Sequence, residues 1–507
     1  MAQKEIMESP LNVGRPPSLL LSLIPIIILM IFLGINIVLF KDDATSGPNQ
    51  IALMLSGLVA IVIGVFIQKI PYGKIEDSIL KSIEISLLAI LILILVGALI
   101  GTWLLSGIVP AMIYYGLKII NPSVFLPIAC IVCCIVSVAT GSSWSTTGTV
   151  GLALIGMGRT LGLPDGLVAG AIISGAYFGD KMSPLSDTTN LAPAMVGTDI
   201  FTHIRHMMYT SGPAIILAIL AFFIIGLFYN GSNADPALIN EVLAKISATF
   251  NLTPWLFLSP LLILFLVAKK TPALPAIVLG IFAGVITAVL FQKSFLTSRM
   301  DGGIWTVTGT YKEILKAAYS GLSIETGQPL LDKLLNRGGM QGMLTTVWLI
   351  FMAMFFGGAM EGTGMLEKIA NTILSLVKSV GGLATATVGT CFFMNTTASD
   401  QYLAIILTGR MFKNAYDKMG LHPKNLSRAL EDSGTVTSPL IPWNSCGAYE
   451  STVLGVATLT YLPFCFFNIL SPLISIIVAH MNWTMERLPG HEIEASDTVD
   501  IAIRPTT

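Results

Sequence analysis

Gly175-Ala-Tyr-Phe-Gly-Asp-Lys-Met-Ser-Pro-Leu-Ser-Asp-Thr-Thr-Asn190 is a polar, proline-containing stretch with apolar sequence on both sides. Part of it returns 255 residues later (438 − 183 = 255) as Gly434-Thr-Val-Thr-Ser-Pro-Leu440, again between apolar flanks. Proline interrupts a helix, and broken backbone at membrane depth is tolerated only where protein or a cavity receives it. The two segments therefore predict two related halves, each with one broken helix inside a membrane.

The composition identifies lipid as the solvent for most of the surface. Only 11% of the 507 residues are charged and 54% are hydrophobic, whereas soluble domains carry about 25% charged residues. Apolar runs of about 20 residues, long enough to cross a bilayer, recur along the chain. We predict an all-α polytopic membrane protein of about 11–12 membrane segments, built as two inverted-topology repeats with broken helices and re-entrant hairpins. The net charge of −1 offers no basic surface for nucleic acid.

Polar stretches between the apolar runs mark the predicted boundaries. They divide the chain into a cytoplasmic N-terminal leader (1–18), a first transmembrane repeat (19–230), an extracytoplasmic linker (231–253), a second transmembrane repeat (254–480) and a polar C-terminal tail (481–507). Early in the two halves the offset is only 224 (293 − 69 = 224), so the second half carries 31 additional residues (255 − 224 = 31). We place them in a polar insertion, 297–339, that forms a loop and an interfacial segment.

The lysines and arginines of the short loops predict the orientation, because loops rich in these residues stay in the cytoplasm. Lys4 and Arg15 precede the first helix, and three lysines follow the second helix. In the second half, Lys269 and Lys270 lie between the first and second segments, where the first half has its outward loop. We therefore expect inverted copies in the cytoplasmic membrane, with the N-terminus inside.

Polar and ionisable residues within the apolar segments are the candidates for function, since each charge costs about 2.5–3.5 kcal/mol at the membrane centre. The residues expected to bind a cation, a proton or a substrate are Ser142, Ser143, Thr146, Asp180, Ser183, Asp187, Thr188, Thr189 and Asn190 in the first half, and Glu361, Asn395, Thr396, Thr397, Asp400, Asp432, Ser438 and Asn444 in the second. No catalytic triad or nucleotide-binding loop accompanies them. We therefore expect neither an enzyme nor a cofactor.

The broken, hydroxyl-rich segments supply the oxygen ligands that a dehydrated Na⁺ needs, with Asp187 and Asp400 as the expected metal ligands. Asp180 and Asp187 can converge if the helix breaks between them, and Lys181 is expected to neutralise one of the two. The alternative is that the hydroxyls bond to carbonyls of their own helices. A buried carboxylate resists ionisation and holds either a proton or a cation, so one site can exchange Na⁺ for H⁺. The first break, which carries more charge, is expected to be that site.

Phe178-Gly-Asp-Lys-Met-Ser-Pro-Leu-Ser-Asp-Thr-Thr-Asn-Leu-Ala-Pro193 resembles the signature of the NhaC family of Na⁺/H⁺ antiporters, and Gly141–Val150, Ala398–Tyr402 and Leu430–Pro439 are similar to further blocks of that family. The resemblance covers residues 20–480. It implies a bacterial membrane protein of the ion-transporter superfamily, with elevator-type motion, homodimeric assembly, and no cofactor beyond the transported Na⁺ and H⁺. It also implies, for some members, Na⁺- or proton-coupled exchange of small organic anions such as malate and lactate.

Two functions therefore remain open at the level of the sequence. The chain is either a Na⁺/H⁺ antiporter or a Na⁺-coupled carrier of a small organic anion or an amino acid. An organic anion needs a cationic or helix-N-terminal partner, and Lys181 is the intramembrane candidate for it. A channel or a membrane enzyme fits less well, because inverted repeats with broken helices suit alternating access better than a pore.

Overall fold

The helices follow one another along almost the entire chain, separated by short breaks. The structure, a computed structural model, describes residues 14–119, 121–229, 236–269, 271–328, 331–332, 335–336 and 338–488. Apart from turns and one isolated bridge between Leu421 and Arg487, the secondary structure of these residues is helical. The predicted all-α class is confirmed.

The first half contains ten helices among the described residues. They are α1 (Leu19–Phe40), α2 (Pro48–Val62), α3 (Tyr72–Leu105), α4 (Ile108–Ile119), α5 (Phe125–Thr140), α6 (Ser143–Thr146), α7 (Leu152–Thr160), α8 (Asp165–Met182), α9 (Asp187–Val196) and α10 (Ile200–Phe228). A π-helical turn, Ile63–Ile67, extends α2, and another, Thr147–Gly151, joins α6 to α7.

The remaining helices follow α10, and the first of them lies within the predicted linker. The described ones are α11 (Pro236–Thr249), α12 (Leu258–Ala268), α13 (Ala273–Phe291), α14 (Lys293–Ser298), α15 (Val307–Ser320), α16 (Met340–Gly362), α17 (Met365–Ser375), α18 (Val380–Thr397), α19 (Gln401–Lys418), α20 (Pro423–Leu430), α21 (Ser445–Leu454), α22 (Thr458–Tyr461) and α23 (Phe466–His480). A π-helical turn, Glu431–Thr435, continues α20.

Several helices are long and apolar enough to cross a membrane. Among the described residues these are Leu19–Phe40, Pro48–Ile67, Tyr72–Leu105, Pro122–Thr140, Ile200–Phe228, Ala273–Phe291 and Met340–Gly362. Two bent pairs, Ala237–Thr249 with Pro254–Leu266 and Thr458–Phe464 with Phe466–His480, raise the number from 7 to 9 if each pair is one span. The polytopic prediction is confirmed, whereas the total of about 11–12 segments stays a prediction.

The predicted domain boundaries fall on segments of different kinds. The linker 231–253 contains all of α11, and the insertion 297–339 contains α15, which packs on α3. Residues 1–13 of the leader, 230–235 around the start of the linker, and 489–507 of the tail lie outside the described residues. The division into domains therefore stays a prediction.

The helix breaks of the two halves recur at a spacing of 258 residues (399 − 141 = 258). Gly141 and Ser399 follow α5 and α18 in left-handed backbone, with φ of 67° and 59°. The next residues, Ser142 and Asp400, are the N-caps of α6 and α19. The Ser-Pro-Leu motifs, 255 residues apart, are thus three residues out of structural register, because α18 has 18 residues, α5 has 16, and the second break is one residue longer.

The helices α3 and α16, which occupy the same place in the two halves, pack against each other in opposite directions. A Cβ atom on Gly97, in the last third of α3, would lie 2.6 Å from the carbonyl oxygen of Gly339, just before α16. A Cβ atom on Gly362, at the end of α16, would lie 3.0 Å from the Cα atom of Ile75, near the start of α3. Inverted copies must run in opposite directions, as these helices do. Their direction across a membrane stays a prediction.

The packing of α5 on α8 positions the first break. A Cβ atom on Gly179 would lie 2.5 Å from the carbonyl oxygen of Cys134, so only glycine permits this approach. Ser137 of α5 donates a hydrogen bond of 2.5 Å to the carbonyl oxygen of Ala176 in α8. The end of α8, with Asp180, is thereby held against the start of α6.

Candidate functional site

Four helix N-termini with side-chain caps meet around one cavity of about 680 Å³. The N-caps are Ser142 of α6, Ser186 of α9, Asp400 of α19 and Asn444 of α21. Each side-chain oxygen accepts a backbone N–H of its own first turn, at 3.2, 3.4, 2.8 and 3.0 Å respectively. Such caps satisfy the free donors that a helix start leaves. The positive ends of four helix dipoles therefore face a common space.

The charged lining of this cavity is entirely acidic. Asp180, Asp187 and Asp400 line it, and none of its described lining residues is lysine, arginine or histidine. Hydroxyl groups complete the polar surface; they belong to Thr140, Ser142, Ser143, Ser145, Ser186, Thr188, Thr271, Tyr402 and Ser445. Carboxylate and hydroxyl oxygens are hard ligands that suit hard cations. The arrangement attracts a cation more strongly than an anion.

Asp180 lies at the end of α8 and is 6% exposed. Its Oδ2 atom accepts two hydrogen bonds from Ser143, one from the backbone N–H at 3.0 Å and one from the hydroxyl at 2.7 Å. Both donors lie on the first turn of α6, so the helix start favours a negative charge here. Asp180 therefore joins the two broken helices of the first half at the wall of the cavity.

Asp400 occupies the corresponding break in the second half and is 1% exposed. Its Oδ1 atom accepts the backbone N–H groups of Tyr402 and Leu403, at 2.8 and 3.3 Å, as the N-cap of α19. Its Oδ2 atom accepts the hydroxyl of Ser445, at the start of α21, at 3.1 Å. The carboxylate thus joins the two broken elements of the second half.

Asp187 differs from the other two aspartates in its surroundings. It lies on the first turn of α9 and is exposed towards the cavity. Its carboxylate accepts no hydrogen bond from any residue that the structure describes. It is the carboxylate of the three that is most free to change partners.

Aromatic and aliphatic side chains form the rest of the wall. Trp144 of α6 lines the cavity and stacks on Tyr449 of α21, with ring centroids 4.1 Å apart and planes 10° apart. The Tyr449 hydroxyl donates a hydrogen bond of 2.6 Å to the carbonyl oxygen of Trp144. The aliphatic side chains of Ile85, Leu88 and Ile92 on α3 also line the cavity. The cavity is therefore built from both halves.

Six of the predicted site residues line this cavity. They are Ser142, Ser143, Asp180, Asp187, Thr188 and Asp400. The others lie outside its wall: Thr146, Ser183, Thr189, Asn190, Glu361, Asn395, Thr396, Thr397, Asp432, Ser438 and Asn444. Asp400, Gln401, Tyr402 and Ser445 of the second half share the same cavity, so both breaks contribute to its wall. That the first break is the site of exchange stays a prediction.

Several of the outlying residues hold the breaks in shape. The hydroxyls of Thr396 and Thr397 donate to carbonyl oxygens four residues earlier in α18, at 2.9 and 2.8 Å. Asn395 donates to the carbonyl oxygen of Gly434 at 2.6 Å, and Asn444 donates to that of Asn395 at 3.0 Å. The alternative of hydroxyls bonding to their own helix holds at Thr396 and Thr397.

Five further outlying residues also form hydrogen bonds near the breaks. The Thr146 hydroxyl donates to the Ser142 carbonyl oxygen at 3.0 Å, and that of Thr189 to the Lys181 carbonyl oxygen at 3.0 Å. Asn190 donates to the Ser186 carbonyl oxygen at 2.7 Å. Ser183 accepts the backbone N–H of Leu185 at 3.2 Å, and Ser438 donates to the Thr435 carbonyl oxygen at 2.6 Å. Glu361 is half-buried at the end of α16.

The ion-pair partner of Lys181 differs from the expected one. Lys181 is completely buried and forms an ion pair with Asp432, in the π-helical turn after α20, rather than with Asp180 or Asp187. Ser471 of α23 also accepts a hydrogen bond of 3.0 Å from its ammonium group. Lys181 does not line the cavity. The reason is geometric, because consecutive residues of a helix point in different directions, and Asp180 faces the cavity while Lys181 faces α23.

Two buried carboxylates outside the cavity wall were not among the predicted site residues. Glu431 accepts hydrogen bonds from Thr188 and Thr435, and Glu450 accepts one of 3.1 Å from Thr147. Each is a charge within a hydrophobic region, which is the signal that could have found it. Within the described residues, no group of three or more His, Cys, Asp or Glu side chains is close enough to hold a metal ion.

Several known proteins are similar to this chain. A family model described as the Na⁺/H⁺ antiporter family matches residues 175–483. The malate-2H⁺/Na⁺-lactate antiporter of Bacillus subtilis is 39% identical over 90% of this chain and 93% of that protein. The Na⁺/H⁺ antiporter NhaC of Alkalihalophilus pseudofirmus is 38% identical over 85% of this chain and 90% of that protein. The arginine/ornithine antiporter ArcD of Halobacterium salinarum is 35% identical over 96% of each. These relatives are transporters, not enzymes.

Proposed function

Because the chain belongs to the Na⁺/H⁺ antiporter family, as its motifs predicted, we propose that it exchanges Na⁺ for H⁺ across the cytoplasmic membrane by alternating access. The observation that carries this proposal is the lining of the cavity, which has three aspartates and, in its described part, no basic side chain. The proposal includes a cytoplasmic N-terminus, which rests on the charges of the short loops. It also includes elevator-type motion and homodimeric assembly, which rest on the family resemblance.

The chemistry of the exchange follows from competition at the carboxylates. Three negative charges around one cavity repel one another, so some of them are neutralised either by protons or by a cation. A Na⁺ ion that enters supplies positive charge and oxygen-ligand bonds, and it displaces a proton. Asp187 is the carboxylate expected to make this change, since Asp180 and Asp400 are already held by hydrogen-bond donors.

The first test measures protons released when Na⁺ binds to purified protein in weakly buffered detergent solution. Wild type is expected to release protons on addition of NaCl and none on addition of choline chloride. Asp187→Asn is expected to show no Na⁺-linked release, because the amide neither titrates nor neutralises Na⁺. Asp199→Asn is the matched control, since Asp199 caps α10 outside the cavity and asparagine also caps a helix. Unchanged release in Asp187→Asn would remove Asp187 from this role.

A second candidate function is the coupled exchange of a small organic solute. The cavity volume of about 680 Å³ favours it, because a bare ion needs far less space and small-molecule sites occupy roughly 300–1,000 Å³. Two of the relatives are named for organic substrates, one for malate and lactate and the other for arginine and ornithine.

The charge of the lining discriminates among such solutes. An organic anion would meet three aspartates, and the N–H groups at the starts of α6 and α19 already bond to Asp180 and Asp400. Lys181, the expected anion partner, is paired with Asp432. An anion would therefore have to enter together with Na⁺ or protons, whereas a cationic amino acid would fit the cavity directly.

Proteoliposome flux separates the two functions. For a Na⁺/H⁺ antiporter, an outward Na⁺ gradient alone acidifies the lumen, and wild type is expected to show this without any organic solute. Liposomes with Asp187→Asn protein provide the control for leak. Strict dependence of the proton signal on malate, lactate, arginine or ornithine would replace the first function with the second.

A further inference from the structure

Glu431 is a fully buried carboxylate directly behind the cavity wall. Its Oε1 atom accepts the hydroxyl of Thr188, which lines the cavity, at 3.0 Å, and the hydroxyl of Thr435 at 2.9 Å. Its Oε2 atom is buried and has no hydrogen-bond partner among the described residues. Glu431 itself does not line the cavity. Among the described residues, the hydrogen bond from Thr188 connects it to that space.

The charges around Glu431 are unevenly matched. Lys181 forms an ion pair with Asp432, and Asp180 receives two hydrogen bonds from Ser143. Glu431 receives neutral hydroxyls only, and one of its oxygens receives nothing from the described residues. A buried charge without a partner is costly, and the group takes up a proton instead. Of these three carboxylates, Glu431 is the one whose surroundings demand a proton.

Of the neighbouring titratable groups, Lys181 favours the ionised form of Glu431, whereas Asp180 favours the protonated form. Those within electrostatic reach are Lys181 and Asp180 on α8 and the Cys391 thiol on α18. The helices α10 and α23 present Thr210 and Ser471, which are directed at Asp432, and His203 of α10 bonds to Ser427. From α9, the Thr188 hydroxyl contacts Glu431. No cation among the described residues forms an ion pair with Glu431.

A route for the proton to the cavity runs through two hydroxyls. Ser186 and Thr188 both line the cavity, and their hydroxyl oxygens are 3.1 Å apart, so that either can be the donor. When Glu431 is protonated, it can donate to Thr188, Thr188 to Ser186, and Ser186 to water in the cavity. When it is ionised, the order reverses and Thr188 donates to Glu431; the 3.0 Å between the two oxygens fits either direction.

We infer that Glu431 is a proton-binding site of this transporter, distinct from the carboxylates that meet Na⁺. In the absence of Na⁺, Glu431 holds one proton. A Na⁺ ion in the cavity adds positive charge near Thr188, and the Glu431 O–H bond breaks. The proton passes through Thr188 and Ser186 to cavity water, leaving the carboxylate. The inference rests on the proposed function, because it adds the Glu431 proton to the same exchange, besides the proton that Na⁺ displaces from Asp187.

The test is Glu431→Gln, which keeps the size of the side chain and an oxygen for Thr188 and Thr435 but cannot titrate. Na⁺ binding and proton release are measured on the same purified sample between pH 5.5 and 9. The variant is expected to bind Na⁺ within about threefold of the wild-type affinity at high pH, and to release about one proton fewer per Na⁺. By linkage, the slope of log Kd for Na⁺ against pH is then smaller by about one in the variant, which is a factor of about ten in Kd per pH unit.

Glu450→Gln is the matched control, because Glu450 is also a buried carboxylate with an unpartnered oxygen and a single hydroxyl partner, Thr147. Its release per Na⁺ is expected to equal that of wild type. Equal release by Glu431→Gln and wild type overturns the inference and leaves the proposed function intact. A wild-type protein that releases no proton with Na⁺ overturns the proposed function itself.

A second variant keeps the test decisive if Glu431→Gln does not fold. Thr435→Val preserves shape and removes one of the two hydroxyls that favour the ionised carboxylate, without touching the cavity. The pH of half-maximal Na⁺ binding at fixed Na⁺ is expected to rise, with unchanged protons per Na⁺. An unaltered midpoint in a folded Thr435→Val protein contradicts the assignment to Glu431.

Discussion

The hydrogen bonds from Ser143 to Asp180 are the single-residue contacts on which the first half of the site depends. Ser143→Ala removes the hydroxyl donor at 2.7 Å and leaves the backbone donor at 3.0 Å. A hydrogen bond to a charged group contributes about 1.5–3 kcal/mol, so the ionised form of Asp180 becomes harder to sustain. We expect Na⁺ affinity, measured by isothermal titration at neutral pH, to fall at least about tenfold.

Thr396→Ala is the control for this prediction. It also deletes a hydroxyl, but one that bonds to the carbonyl oxygen of Phe392 within α18 and lies outside the cavity. Its Na⁺ affinity is expected to stay within about twofold of wild type. If the two variants bind Na⁺ equally well, the Ser143 hydroxyl does not support the site.

The identity of the charged site residues was predictable, but their pairing was not. Asp180, Asp187 and Asp400 stand out because ionisable residues inside apolar sequence are rare and costly. The partner of Lys181 is Asp432, in the other half of the chain, and no local pattern connects the two. The cavity positions of Tyr402 and Ser445 depend on how four helix starts meet, which is a tertiary property.

At the scale of elements, the two helix breaks carry different residues at equivalent left-handed positions, Gly141 and Ser399. Gly141→Ala would put a Cβ atom 2.7 Å from the backbone of Leu185 and strain the backbone. We expect the free energy of unfolding to fall by about 1–3 kcal/mol. Ser399→Gly removes the backbone strain and also a buried hydroxyl that has no hydrogen-bond partner among the described residues. We expect the free energy of unfolding to rise by up to about 1 kcal/mol. Thermal unfolding in detergent measures both, and shifts of the same sign contradict the pairing of the two breaks.

The existence of the breaks followed from the sequence, whereas their register did not. Pro184 and Pro439 predict an interrupted helix in each half, and both lie between α-helices in the structure. The helix ends, however, are set by caps such as Ser186 and Asn444 (444 − 186 = 258), not by the Ser-Pro-Leu motif. Aligning the halves on the short motif therefore shifts the equivalent positions by three residues. The motif could not show this, because serine and asparagine both cap helices although they are different residue types.

At the scale of the whole molecule, the long apolar helices were predictable because the bilayer requires them. A spanning chain must satisfy its backbone internally, which leaves long apolar helices as the available solution. The shared cavity was not predictable, because it needs α6 and α9 of one half to meet α19 and α21 of the other. The stacked pair Trp144 and Tyr449 is one of the contacts that join the halves there.

Inversion of the halves makes a prediction about the sides of the membrane. Asp43 follows the first helix of the first half, and Lys269 follows the corresponding α12 of the second half; both are exposed. Inverted copies place them on opposite sides, with Asp43 outside and Lys269 in the cytoplasm. In intact cells, Asp43→Cys is expected to react with a membrane-impermeant maleimide and Lys269→Cys only after permeabilisation. The six native cysteines are buried, and the unmodified protein measures their background. Labelling of both positions from the same side would mean that the halves are parallel, and the antiparallel packing of α3 and α16 would then need another origin.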